Sequence, residues 1–366
     1  MRRTLDDLPE SLDETYERVL KEIKKPNREH ARRLLQCLVV AIRPPRVEEL
    51  AEVLAVDFEG TEEFPKLNPY WRWEDEEQAL LASCSSLISI IETDGSRVVQ
   101  FSHFSVREFL TSTRLATSSG EVSCYHIVLK PAHTILAQAC MSVLLRSDDR
   151  EEQSGDGAGN NSPLARYAAE HWAAHAQFEH VSSYLRTSME YLFDLDKPYF
   201  AAWCGIFDID TSPRSDSTLF MFAPRRSDNR PAPLYYAALC GFQDLVQCLI
   251  SKYPQHVNAS GGYYVRPLVA ALAGEHFQTA KLLHHNGADI NVRGFGGDTP
   301  LHSAASCGDV EMARVLLNYG ADVNTRNDTD ETPLDHASVC DSEKGRDEIM
   351  KFLSEHGAVH GLSSPL

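Results

Sequence analysis

Between residues 231 and 360 one dipeptide returns in phase. Pro-Leu begins at Pro233, Pro267, Pro300 and Pro333, so the intervals are 34, 33 and 33 residues. Ala237, Ala271, Ala304 and Ala337 each follow the proline by four, and Asn258, Asn291 and Asn324 keep the same step of 33 at the other end of each unit. A supersecondary unit of this size cannot bury its own apolar face. The period therefore restricts this part of the chain to a stack in which each copy is stabilised by its neighbours.

The third copy, DTPLHSAASCGDVEMARVLLNYGADVN from Asp298 to Asn324, shows how a unit is built. Thr299 suits the cap of a helix whose first turn accepts Pro300, since proline gives up an amide that has no helical partner there. Ala304 and Ala305 keep that helix thin, and Gly308 ends it. Val310, Ala313, Leu316 and Leu317 give a second helix one apolar face before Gly320. A turn, a small-residue helix, a Leu-Leu helix and Gly-Ala-Asp-Val-Asn at this period resemble the ankyrin repeat. The resemblance implies four units at about 231–260, 264–293, 297–326 and 330–360, with a tail at 361–366 and atypical end copies. The fourth copy carries extra residues at 340–347 and has Asp330 where the third has Gly297. The resemblance also implies a concave, protein-binding face that exposes Tyr263, Arg293, Phe295, Asp298, Ser306, Arg326, Asp328 and Glu331.

The preceding half reads differently. Leu8, Leu12, Tyr16, Val19, Leu20 and Ile23 recur at helical spacing until Lys24-Lys25-Pro26. A second helix is expected over 28–42 and ends at Pro44-Pro45; a third spans 47–56. A further helix is expected over 74–86. The β-rich runs 87–91 and 98–101 flank Asp94-Gly95, a strong hairpin signal, and a helix resumes at 102–110. Helices followed by a hairpin describe a winged helix over 1–115. Its blocks LPESLDETYERVL, RPPRVEELAEVLAVDF and FSHFSVREFL resemble the segment that follows the NACHT nucleotide-binding module in fungal NOD-like receptors, and the winged-helix region of GPI inositol-deacylase-like proteins. A helical extension is expected over 116–146, a polar linker over 147–162, a helical bridge over 163–210 and a second linker over 211–230. The expected fold is mainly α: winged helix with a small β-hairpin, helical bridge, and ankyrin α-solenoid.

Chemistry is sparse. No GxxxxGK[ST] loop is present to cradle phosphate, so no cofactor is expected in this chain; the receptor resemblance implies that a nucleotide module lies upstream of Met1. His171 and His175 stand four apart beside Glu170, but the order is EHWAAH and not HExxH, and packing around Trp172 is the plainer reading. His302 is expected to bond neighbouring backbone. Ser105 and His103 lack the glycine-bounded elbow of a nucleophile, and helix capping is expected instead. No catalytic, cofactor or metal residue is therefore assigned. The net charge of −18 repels nucleic acid and anionic membranes, and helix 47–56 carries Glu48, Glu49 and Glu52 without a basic residue. Nine single cysteines without a CxxC pair read as reduced thiols. No run reaches the roughly 18 apolar residues of a membrane helix, and a cytoplasmic protein is expected. The leading expectation is a non-enzymatic interaction or scaffold protein: the ligand-sensing or autoinhibitory C-terminal part of a fungal NOD-like receptor, whose repeats meet a protein partner or the upstream module. A standalone ankyrin adaptor and a hydrolase are the alternatives.

Overall fold

A computed structural model describes residues 12–60, 64–68, 71, 75–84, 86–118, 120–146, 162–210, 231–340 and 342–361, the side chains of Ala79, Ser83 and Phe295 excepted. Leu8, most of the first expected linker and all of 211–230 lie outside these residues. The chain divides into two compact units, 1–207 and 208–366.

In the first unit the opening helices are α1 (Leu12–Glu22), α2 (Arg28–Val40) and α3 (Val47–Leu54). Tyr16 and Leu20 of α1 are buried, and the Tyr16 ring lies 5.5 Å from that of Phe109, tilted by 47°. Leu12, expected on the same face, is 60% exposed. The first turn of α1 is held by charge instead, with Arg114 of a later helix donating to Asp13 at 2.9 Å, while the buried apolar contacts begin at Tyr16. Two-residue strands β1 (Val56–Asp57) and β2 (Lys66–Leu67) pair antiparallel and precede α4 (Glu76–Cys84). This ribbon has too few alternating residues to register as a pattern.

The hairpin forms where Asp94-Gly95 predicts it, between β3 (Ile88–Thr93) and β4 (Ser96–Phe101), in register Ile88 to Phe101. Asp94 at φ 51 and Gly95 at φ 73 put both central residues in the left-handed region, as a two-residue turn matched to strand twist demands. The segment after Pro44 lies along its outer edge: Val99 N–H donates to the Pro45 carbonyl at 2.8 Å, and Arg46 bridges to Val98. Two prolines there signal a helix stop in the sequence and hide the extended pairing.

Next come α5 (Phe104–Leu110), α6 (Thr113–Thr117), a 3-10 turn at Glu121–Tyr125, and α7 (Leu129–Leu144). The bridge comprises α8 (Ala165–Gln177), α9 (Arg186–Leu192) and α10 (Tyr199–Ile206). Its core is aromatic: Trp172 and Trp203 meet edge to face at 5.4 Å, and Phe193 lies 5.7 Å from Trp203. Trp203 donates its indole N–H to the Ala169 carbonyl at 3.0 Å, so the ring is buried without stranding its donor.

The second unit stacks four helix pairs: α11 (Pro233–Leu239) with α12 (Gln243–Lys252), α13 (Pro267–Ala273) with α14 (Phe277–His285), α15 (Pro300–Cys307) with α16 (Val310–Asn318), and α17 (Pro333–Ser338) with α18 (Glu343–Glu355). Each Pro-Leu opens an inner helix, with proline in its first turn. The periodic asparagines explain their own phase. Asn258 accepts the Asp289 N–H at 2.9 Å and donates to the Gly287 carbonyl at 2.8 Å, both in the next copy. Asn324 repeats this with Val359 N–H at 2.8 Å and the Gly357 carbonyl at 3.1 Å. Asn291 accepts the Asp322 N–H at 2.9 Å.

Candidate functional site

The turns between copies share one closure. Gly261, Gly294 and Asn327 donate backbone N–H to the carbonyls of Val265, Asp298 and Glu331 at 2.9, 2.7 and 3.0 Å. These donors are 33 residues apart, so the tips are as periodic as the helices. At the third and fourth copies the tips are also tied to one another. Asn327 Oδ1 accepts N–H from Thr329 and Glu331 at 3.0 and 2.9 Å. That fixes the amide orientation and turns Nδ2 to Asp298 Oδ1 at 2.8 Å. Asp328 N–H donates to the Gly296 carbonyl at 2.8 Å.

Five of the residues read from sequence as binding candidates meet in this lattice. Asp298 is taken up by Asn327, and the Glu331 carboxylate accepts from Thr329 Oγ1 at 3.0 Å. Arg293 donates to the Arg326 carbonyl and lies 3.9 Å from Asp328, while Arg326 lies 4.0 Å from Asp330. Pairs this long between exposed groups contribute little. Arg293, Arg326 and Asp328 keep 52%, 36% and 66% of their side-chain surface accessible, a small ridge of alternating sign.

The other three separate. Ser306 turns its hydroxyl back to the Ser303 carbonyl of its own helix at 3.2 Å. Tyr263 lies at the second copy's tip, where its N–H donates to the Asp210 carboxylate at 2.6 Å. The side chain of Phe295 lies outside the described residues. Asp210 also accepts the Tyr235 hydroxyl at 2.5 Å, and Tyr235 in turn accepts the Tyr264 N–H at 3.0 Å. Asp208 accepts the Tyr236 hydroxyl at 2.8 Å. Burial raises the Asp210 carboxyl above its usual range, with the Tyr235 and Tyr263 bonds opposing. Grouped by sequence with the helical bridge, Asp208 and Asp210 bond to the first two repeats; no motif marks two acids as partners of tyrosines some 25 residues later.

His302 behaves as a polar staple. Its Nδ1 accepts the Thr299 N–H at 3.1 Å, and its Nε2 lies 3.1 Å from the Glu331 carbonyl of the next copy. A backbone amide can only donate, so the proton sits on Nε2. The ring is buried, and burial holds its pKa below the ordinary histidine value against the raising effect of the Glu331 carbonyl. Asp335 takes the same place in the fourth copy, accepting N–H from Thr332 at 2.9 Å and Gly361 at 2.7 Å. Burial opposes ionisation there, but those bonds prevail and bring its pKa to about 2.

The residues tested for chemistry in the first unit resolve into structure. His103 caps α5: its Nδ1 accepts from Ser105 N–H at 3.3 Å and meets the Ser105 hydroxyl at 2.6 Å, while Tyr16 takes that hydroxyl's other side at 2.8 Å. His175 is buried between His133, 2.9 Å from its Nδ1, and the Tyr167 hydroxyl, 3.0 Å from its Nε2. Burial, with smaller repulsion from His133 and His171, lowers its pKa to about 3. Among the described residues no group of three or more His, Cys, Asp or Glu is placed to hold a metal ion. Also among them, no helix is long and apolar enough to cross a membrane.

The helix that would read a DNA groove is enclosed. Glu49 is fully buried and takes Arg43 at 2.7 and 2.9 Å, Arg46 Nε at 3.0 Å and the Arg46 N–H at 2.8 Å. Burial raises its pKa, but these donors outweigh it and the net shift is downward. Glu52 accepts from the Ser162 hydroxyl at 2.5 Å and Leu164 N–H at 2.8 Å. Arg46 reaches the Pro163 carbonyl at 3.1 Å, and Tyr167 accepts the Ile42 N–H at 3.3 Å. The entry to the bridge thus covers α3, and Ser162, expected in the linker, belongs to this packing. In the sequence Glu49 and Glu52 show only as acids on a helix without basic residues; Arg43 and Arg46 just upstream are the signal of buried partners.

Comparison with known proteins agrees with this geometry. Residues 16–120 match the winged-helix domain of GPI inositol-deacylase, and residues 268–363 match ankyrin repeats in three copies. The chain is 30% identical over 305 residues to azaphilone pigments biosynthesis cluster protein L of Monascus ruber, an alignment covering 78% of this chain and 61% of that protein. It is also 32% identical over 71 residues to alpha-latrocrustotoxin-Lt1a of Latrodectus tredecimguttatus, covering 19% of this chain and 5% of the toxin. The chain thus spans about three fifths of the fungal relative. It carries a winged-helix domain of the NACHT-associated, GPI inositol-deacylase kind and, after it, ankyrin repeats.

Proposed function

We propose that this chain is a non-enzymatic, cytoplasmic interaction protein: the ligand-sensing or autoinhibitory part of a fungal NOD-like receptor, acting through its repeat tips and without a cofactor of its own. The observation that carries the reading is the tip lattice around Asn327. Its hydrogen bonds hold the backbone, while Arg293, Arg326 and Asp328 stay accessible above it. A surface ordered before binding loses less entropy on complex formation. The charges suit a protein surface of mixed sign, and Phe295, two residues after Arg293 in the sequence, is the candidate aromatic anchor. The ankyrin repeats favour protein partners. In the receptor, partner binding would be linked to the winged helix and an upstream nucleotide module, a coupling that needs two states with different affinities.

Two experiments bear on this. Peptides are selected from a random library on the full chain and challenged with R293A/R326A/D328A. Binding should fall at least tenfold, about 1.4 kcal/mol, with the melting temperature nearly unchanged because exposed pairs contribute little. Unchanged binding to the variant removes the ridge from the site. Mapping the 5′ end of the transcript tests the receptor reading: an in-frame P-loop upstream supports it, and initiation at Met1 leaves an ankyrin adaptor.

A further inference from the structure

The start of α2 carries charge of the unexpected sign. The N-terminus of a helix is the positive end of its dipole, where acidic side chains stabilise and basic ones oppose. Here Lys24, Lys25, Arg28, Arg32 and Arg33 arrive together in a chain of net charge −18. Two of the five are paired. Arg33 lies 3.3 Å from Glu29 and 4.7 Å over the Phe58 ring, and Arg28 donates to Glu121 at 2.6 Å. The Glu121 carboxyl is lowered first by that bond and, to a smaller degree, by Lys25.

Lys24, Lys25 and Arg32 have no hydrogen-bond or ion-pair partner among the described residues, and Arg32 Nε is a buried donor left unsatisfied. Lys24 and Lys25 are exposed. The helix end does not screen itself either: Asn27, in the cap position, gives its amide to the Ala82 carbonyl at 3.2 Å and makes no cap bond. Lys24 is extended and Lys25 opens the 3-10 turn that leads into α2, where Arg28 and Arg32 share a face at a step of four, so these positions follow one another over roughly 12 Å of backbone. The arrangement costs stability from the dipole and from like-charge repulsion; for Lys24, Lys25 and Arg32 no described hydrogen bond or ion pair of the side chain offsets it, and only the smaller pull of Glu121 reaches Lys25.

We infer that this basic stretch is a docking site for an acidic segment of a partner protein, a run of Asp and Glu whose carboxylates meet Lys24 and Lys25 at one end and Arg32 at the other. Its length decides the chemistry. A single phosphate is satisfied by one guanidinium fork, whereas roughly 12 Å calls for anions spread over about four extended residues. A long polyanion would feel the whole molecule's negative charge, while a short peptide responds to the local surplus within a Debye length of about 8 Å. The site lies in the first unit and does not depend on the repeat ridge.

The test uses the full chain and a labelled peptide of about eight residues with Glu or Asp at every second position. It compares wild type with K24Q/K25Q/R32Q, and the peptide with tripolyphosphate and a short oligonucleotide. Wild type should bind the peptide, roughly tenfold more weakly when salt rises from about 50 to about 300 mM. The variant should bind roughly tenfold more weakly than wild type, yet melt at the same temperature or higher, because the charges it removes oppose the dipole. Absence of peptide binding, equal binding by the variant, or a lower melting temperature overturns the proposal. Tighter binding of tripolyphosphate or the oligonucleotide than of the peptide also overturns it.

Discussion

His302 shows how much one side chain can decide. Replacing it with alanine leaves the buried Thr299 N–H without its acceptor and takes one of two donors from the Glu331 carbonyl, which keeps the Asn327 N–H, so His302→Ala should destabilise the repeats by about 1–3 kcal/mol in a urea melt. Glutamine, which can accept and donate from one amide, should recover part of the loss. The role was legible because His follows Thr-Pro-Leu at a helix start, where a side chain reaches either its own cap or the next tip. The same logic failed at Glu49 and Glu52, since the arginines and the bridge entry that enclose them come from flanking turns and from a segment more than a hundred residues later. Of the binding candidates, Arg293, Arg326 and Asp328 keep accessible surface, while Asp298 is drawn into the lattice by Asn327. Periodicity places a residue at a tip but does not say whether a neighbour already holds it.

At the scale of elements the repeats were legible in outline because each stop has a chemical cause. Gly308 ends α15 at φ 70, and Gly241 holds the matching place in the first copy at φ 71. In the second copy that place belongs to Glu275, at φ 59. A side chain in the left-handed region costs roughly 1 kcal/mol, so Glu275→Gly should raise stability by about 0.5–1 kcal/mol, seen as a higher urea midpoint with an unchanged slope. A lower midpoint would show that the Glu275 side chain has a stabilising role of its own. Elements fixed by distant partners were harder to read. The ribbon of β1 and β2 is too short to show alternation, and within the helical extension expected over 116–146 a 3-10 turn at Glu121–Tyr125 precedes α7.

Over the whole molecule, buried histidines kept neutral add acid sensitivity to each unit, beside carboxyls such as Glu49 and Asp335 that are held below their usual range. The folded-state pKa of His175 is about 3, below its unfolded value, so the unfolded chain binds the extra proton first as pH falls. Its contribution is present above about pH 6.5 and is lost as pH falls toward the folded value. Between pH 7 and pH 5 the first unit should lose about 2 kcal/mol from this group. His175→Gln should be less stable at pH 7 but show a flatter decline, read from urea midpoints across that range; an equally steep decline would locate the sensitivity elsewhere. His302 acts in the same direction in the second unit.

Asp208 and Asp210, bound to the hydroxyls of Tyr236 and Tyr235, precede residues 211–230, yet they fasten to the first repeat beyond that stretch. The covalent order of the chain and the physical edge of the array therefore disagree. A recombinant fragment begun at Pro231 would take both tyrosine side chains without the carboxylates that receive their protons, and its first repeat would meet solvent along a face the intact chain keeps sealed. A protease cut anywhere in 211–230, by contrast, would break none of the bonds that Asp208 and Asp210 make to the repeats.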